Sequence, residues 1–222
     1  MIKELTHIPD AWQKAWRFGT FRNHLLISLL VFCASCLCNF HYLVVWQSRP
    51  GILINDIVLS HLQPHNFSAY IFFLEYSTLL MVFIFILPYP DRLVRGLQMF
   101  AIILFARTTT IYFMPLDPPR DMVPLIDPVA NFFLHTHDVF VTKDLFFSGH
   151  VSALTLFFLI ATNKYLRAYA LIATLTVGTL IVWQHVHYSL DVLFAPLASY
   201  AAFKVVEWGH TQTKYGLELQ DA

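Results

Sequence analysis

Charge is scarce in this chain. Only 13% of its 222 residues are charged and acids balance bases to a formal net charge of zero, so no basic, aromatic-interleaved surface argues for a nucleic-acid partner. Cysteine is scarcer still. Cys33, Cys36 and Cys38 sit together as CASCLC inside one apolar run, and no cysteine lies in a loop where a disulfide would reveal the compartment. On a helix Cys36 and Cys38 point apart, which favours packing between membrane helices over metal or redox chemistry. Internal repeats and low-complexity segments are also lacking. A cleaved signal peptide is not expected, because the first apolar stretch is too long and begins too late.

What fills the chain instead is apolar. Hydrophobic residues make up 57% of it and mean hydropathy is +0.58, which points to an integral membrane protein. A soluble domain shows one apolar stripe per helix, whereas several segments here are apolar all round for about the 20 residues a bilayer demands. Six spans are expected, at 24–46, 67–87, 93–113, 148–162, 165–184 and 188–206, the fourth being short. The expectation is therefore an all-α integral membrane protein with a single domain over 1–222 and six transmembrane helices in a core at 24–206. Pro88, Pro90, Asp91 and Arg92 make one connection a tight polar turn and 163–167 makes another, so spans two and three, and four and five, are hairpins. With this threading most Lys and Arg residues share one side, which puts both termini and the tail at 207–222 in the cytoplasm. Within 1–22, Leu5, Ile8, Trp12 and Trp16 recur at helical spacing among Lys3, Gln13, Lys14 and Arg17, as in a helix lying in the interface.

Unusual polar groups gather at the opposite, outer face. The outer loop at 114–146 carries Asp117, Asp121, Asp127, Asp138 and Asp144 and five prolines, which favours an ordered lid. It delivers Lys143 and Asp144, then Ser148, Gly149 and His150, to the start of the fourth span. A helix start presents unpaired N–H groups and a positive dipole end, which suit phosphate. There Ser148 is placed to cap and Gly149 lets a ligand approach, although for the tripeptide alone a capped helix with an interfacial histidine is the better explanation. In WQHVHYSLDV at 183–192, His187 and Asp191 are one turn apart if the segment from Tyr188 is helical. The carboxylate then fixes the imidazole tautomer and leaves the other nitrogen free as base or nucleophile. Arg107, near the outer end of the third span, adds a fixed positive charge. Glu75 lies at similar depth, so a Glu75–Arg107 ion pair and a substrate-facing Arg107 are both open. Asn66, Phe67 and Ser68 match a glycosylation acceptor pattern, but their position suits a helix cap better.

SGHVSALTLFF and HVHYSLDVLFA, with FARTTTIYFMPLDPP upstream, resemble the sphingomyelin synthase branch of the type 2 phosphatidic acid phosphatase superfamily. The likeness runs over 50–207. It implies a six-helix bundle of that type and a triad of His150, His187 and Asp191, with Arg107 matching the family arginine before its proline-containing outer loop. The lysine and Arg-Pro motif of the phosphatase branch is absent, and Ile181 stands where that branch carries arginine. Val151 and Val186 also depart from the synthase spelling, while His-x-His-Tyr agrees with it.

The implied activity is transfer of a phosphorylated head group from a phospholipid donor to a lipid alcohol, ceramide or diacylglycerol, through a phosphohistidine on His187. In this scheme Asp191 orients His187 and His150 is the acid and base. Arg107, Ser148, Gly149 and Lys143 hold the phosphate, with Glu75, Asp144, His185 and Tyr188 in support. No cofactor or metal is needed. A lipid phosphatase or phospholipase C-like hydrolase uses the same triad with water as acceptor. A metal-dependent hydrolase built on His135, His137, His185, His187 and Asp191, and a transporter using Glu75 and Arg107, are the readings from other classes.

Overall fold

Pattern turns into helix where the apolar runs lie. The computed structural model describes residues 7–128 and 142–212, without the side chains of residues 43, 44 and 212. It is all-helical, with seven α-helices among the described residues: α1 (Ile8–Trp16), α2 (Gly19–Trp46), α3 (Ser68–Ile86), α4 (Pro90–Phe113), α5 (Gly149–Ile160), α6 (Lys164–Trp183) and α7 (Ser189–Gln212). Five of them, α2, α3, α4, α6 and α7, are long and apolar enough to cross a membrane, and α5 is a shorter apolar helix. Asp138, His135, His137, Lys3, Leu5 and most of the tail lie outside the described residues.

The first apolar helix begins earlier than expected, at Gly19, and only Arg17 and Phe18 separate it from α1. Pro9 sits in the first turn of α1, where a missing N–H costs nothing. Trp12 anchors it by donating from Nε1 to the Leu87 carbonyl (2.8 Å), and Phe21 and Val94 pack beneath. The two tight turns form as expected. Asn163 caps α6 by accepting from the Tyr165 and Leu166 N–H groups at 3.1 and 2.9 Å. The N-cap of α3 is Phe67, which makes no side-chain cap bond; Asn66, one residue earlier, accepts from the Ser68 N–H at 3.0 Å in a local turn instead of the cap the pattern suggested.

The centre of the bundle is α5. It packs mainly on α6 and α7, while α3 leans on α6 and α4 lies between α2 and α7. Surrounded on all sides, α5 buries Val151, Leu154, Leu156 and Phe157, which explains why it is apolar all round. The α2 helix is peripheral and leaves Leu30 and Leu37 more than two-thirds exposed, as a lipid-facing helix does. Its cysteines are free thiols on that outer helix. Hydroxyls tie helices where apolar contact alone gives no direction: Ser199 on α7 donates to the Ser152 carbonyl (3.1 Å), and Ser77 on α3 bonds Tyr169 on α6 (2.7 Å).

One end of the bundle carries the tight turns and the other carries the long connections. The two long loops meet at Gly51, where Ile52 N–H bonds the Pro115 carbonyl (3.0 Å) and Asp117 N–H bonds the Ile52 carbonyl (3.1 Å). A Cβ on Gly51 would stand 2.5 Å from the Leu116 carbonyl carbon, so only glycine allows this approach.

Candidate active site

The start of α5 lies deep in the bundle. Ser148 is its N-cap and is wholly buried; its side chain accepts from the Val151 N–H at 3.5 Å, and its carbonyl accepts from the Ser152 N–H at 3.0 Å. The N–H groups of Gly149 and His150, in the first turn of α5, have no intrahelical partner. Ser148 N–H itself donates to the Asp191 carbonyl (3.1 Å), a single bond that joins the first turn of α5 to that of α7. Two residues with left-handed backbone flank the two motifs: Phe146 at φ 98° and His185 at φ 58°. Neither is glycine, so both carry strain that the surroundings must hold. At Phe146 the turn aims the Phe147 carbonyl at Arg107.

Arg107 is buried at 5% exposure against this helix start. Its Nη1 donates to the Phe147 carbonyl (3.1 Å), its Nη2 pairs with Asp144, and its guanidinium lies over the Phe147 ring. A Cβ on Gly149 would overlap the guanidinium, so glycine here is what admits the charge to the helix dipole. The Glu75–Arg107 pair left open by depth does not form. Depth places both residues at one level, but α3 turns Glu75 toward α5, where its Oε2 lies 2.6 Å from His150 Nδ1. His150 also meets the Phe72 ring edge-on.

His187 and Asp191 come together as their spacing suggested, with Nδ1 to Oδ2 at 3.2 Å and both side chains under 5% exposed. Tyr188 N–H donates to the same oxygen at 3.2 Å, so the carboxylate is held as it holds the ring. Each histidine thus has a carboxylate on Nδ1 and leaves Nε2 for chemistry, the tautomer following from the partner. The sequence pointed to a carboxylate for His187; the one on His150, from Glu75, comes from a helix distant in sequence.

Other expected residues are placed elsewhere. Lys143 pairs with Asp117 (2.8 Å) and donates to the Arg49 carbonyl, clipping the two loops rather than meeting the α5 start. Tyr188 is buried, donates to the Asp117 carbonyl (2.8 Å) and accepts from Ile54 N–H (3.2 Å). His185 donates from Nδ1 to the Arg120 carbonyl (3.1 Å), and its Nε2 is buried without a hydrogen-bond partner. His185 and His187 are therefore tied to different partners. Among the described residues, no group of three His, Cys, Asp or Glu side chains could hold a metal ion.

Two residues that sequence reasoning passed over hold the assembly. Gln184 is completely buried: its Oε1 accepts from Phe67 N–H (2.7 Å), and its Nε2 donates to Ser68 Oγ (3.1 Å) and to the Val123 and Pro124 carbonyls (3.2 Å each). It staples α3, α6 and the proline-rich loop. Asp56 reaches across to cap α7, accepting from the Ser189 N–H and Oγ at 2.7 and 2.8 Å. Burial opposes its ionisation, but those bonds and the Leu59 and Val58 N–H groups outweigh it and hold the carboxyl below its usual range. Asp127, in the proline-rich loop, accepts the Tyr76 hydroxyl of α3 at 2.8 Å. In the sequence Gln184 and Asp56 are only a glutamine at the end of an apolar run and an aspartate in a loop, neither of which names a distant partner.

Residues 143–208 match the family model for the PAP2 superfamily C-terminal region, which supports placement in the PAP2 superfamily. The match spans under a third of the chain; it includes His150, His187 and Asp191 and leaves Glu75 and Arg107 outside. No curated protein matches the chain.

Proposed function

We propose that this protein is a membrane lipid head-group phosphotransferase working through a phosphohistidine, as the sphingomyelin and ceramide phosphoethanolamine synthases do. The observation that carries the reading is the pair of imidazoles, each bonded at Nδ1 to a carboxylate, beside a buried arginine at a helix start. The PAP2 match supports lipid phosphatase or phosphotransferase chemistry in general.

His187, held by Asp191, attacks the phosphorus with Nε2. The P–N bond forms as the P–O bond to the donor lipid breaks, and His150 gives the Nε2 proton to the departing alkoxide. The assignment of His150 as acid rests on exposure: its side chain is 26% accessible against 4% for His187, and the acid must exchange protons with incoming molecules. Glu75 stabilises the imidazolium form of His150 and orients the ring. His150, now neutral, next takes a proton from the lipid alcohol, whose oxygen attacks phosphorus and frees His187. Arg107 and the N–H groups of Gly149 and His150 meet the charge on the phosphoryl oxygens. Asp144 shares Arg107 in the resting protein, so an arriving phosphate competes with it. Lys143 tunes this site only through the loops. The scheme uses no cofactor, and the site faces the extracytoplasmic side with both termini cytoplasmic, as the charge distribution of the loops implies.

The test is transfer by purified protein in vesicles containing a phospholipid and either ceramide or diacylglycerol, with products identified by mass. A new phospholipid, an acid-labile phosphorylated His187 peptide, and loss of both in His187→Ala are expected. Product formation unchanged by that substitution refutes the nucleophile. Release of the free phosphorylated head group or of phosphate, with no new lipid, assigns the hydrolase reading instead.

A further inference from the structure

Below the histidines lies a space that the phosphoryl chemistry does not use. Although α3 and α4 are joined by a tight turn, they splay: α3 leans on α6 and α4 on α2. The gap, closed by α5 and by Phe32 of α2, is a cavity of about 380 Å³. Its walls, among them Leu79, Phe83, Leu97 and Phe157, are apolar, and Ile86, Leu93 and Ile160 form its floor at the tight-turn end. Polar side chains occur at the other end alone. They are Glu75, bonded to His150, and Tyr76, bonded to Asp127.

This distribution selects the occupant. A polar molecule in the lower cavity would lose its hydrogen bonds to water and find no replacement. An alkyl chain needs none. From Glu75 to Ile86 the helix rises about 16 Å at 1.5 Å per residue, which is roughly half of the ~30 Å hydrocarbon core and hence the depth that one acyl chain fills. The roof of the cavity is the residue that holds His150, so a chain inserted there brings its head group to the histidine.

We propose that the cavity holds one acyl chain of the donor phospholipid whose departing oxygen His150 protonates, and that Leu93, with Ile86 and Ile160, sets the longest chain accepted. The link to the phosphate rests on the head-group transfer reading above; the chain site itself does not. Leu93→Trp raises the floor and Leu93→Ala lowers it. Against donors that differ only in acyl length, Leu93→Trp is expected to lose at least about tenfold in kcat/KM on long chains relative to short ones, since one methylene in a pocket is worth that much. Leu93→Ala shifts the preference the other way. Identical length profiles in both variants overturn the proposal.

A measurement without turnover separates the two readings. Vesicles of phosphatidylcholine and phosphatidylethanolamine carrying a diazirine near the end of one acyl chain are photolysed with the wild-type protein. Label on Leu93, Phe157 or Ile160 supports the chain site, and stands even if no acceptor yields product, in which case the transferase reading fails alone. Label confined to the lipid-facing side of α2 overturns the chain site even if transfer proceeds.

Discussion

Replacing Glu75 with glutamine keeps the shape and the hydrogen-bonding reach of the side chain and removes its charge. In the wild type its Oε2 lies 2.6 Å from His150 Nδ1, with the two side chains 17% and 26% exposed. A hydrogen bond to a charged group in such a setting contributes about 1.5–3 kcal/mol. If that contribution is felt mainly when His150 is the protonated acid, kcat falls about 10- to 150-fold. The loss is expected to vanish in a His150→Ala background, because Glu75 acts only through that ring, and a double-mutant cycle measures this directly. A substrate with an aryloxide leaving group supplies the second arm. It needs little protonation, so the defect in forming the phosphohistidine shrinks for Glu75→Gln and for His150→Ala, while His187→Ala stays inactive. Additive losses in the cycle, or an equal defect on both leaving groups, would refute the role of Glu75 as the support of an acid.

Arg107→Ala leaves Asp144 partly buried without its partner and is expected to destabilise the protein by about 3 kcal/mol; Arg107→Ala with Asp144→Asn recovers the thermal midpoint but not the activity, as detergent-phase unfolding and transfer assays compare. Gly149→Ala pushes its Cβ into the guanidinium, so kcat/KM drops about 10²-fold, and no further drop follows in the Arg107→Ala background. Asp56→Ala removes the cap of α7. Because the folded carboxyl ionises below its usual range, the stability it contributes is complete above the ordinary aspartate pKa and is lost as pH falls through the lower folded value. The gap in thermal midpoint between wild type and Asp56→Ala is therefore widest at neutral pH and closes in acid; a constant gap rules out the ionised cap.

The spans and the pairing of His187 with Asp191 were legible because both rest on local spacing: apolar length in the first case, one helical turn in the second. The partner of Glu75 was not legible. Counting residues gives depth along a helix but not which way it is rotated, and α3 leans on α6, which turns Glu75 from α4 toward α5. Lys143 shows the same limit in a loop, where the clip to Asp117 depends on how two connections cross at Gly51. Gln184 and Asp56 were missed because their partners are distant in sequence. A polar residue next to an apolar run reads alike whether it meets water or staples three elements.

The length of α5 connects the fold to the chemistry. Its 12 residues rise about 18 Å, which leaves about 12 Å of a ~30 Å hydrocarbon core uncovered. Glu75, about 10 Å below the start of α3 at the same rise per residue, bonds the second residue of α5. The helix is therefore short by roughly the depth to which its start is recessed. The loop leading into it must then lie at membrane depth, which irregular backbone tolerates only when protein satisfies its polar groups. Arg107 takes the Phe147 carbonyl, and the Asp191 carbonyl takes the Ser148 N–H. The residues that make such a loop tolerable are thus the buried arginine at the start of α5 and the aspartate that pairs with His187, the groups on which the proposed chemistry rests. A change that lengthened α5 outward would relieve the loop and at the same time separate His150 from Glu75, so the short helix and the Glu75–His150 pair are one structural requirement.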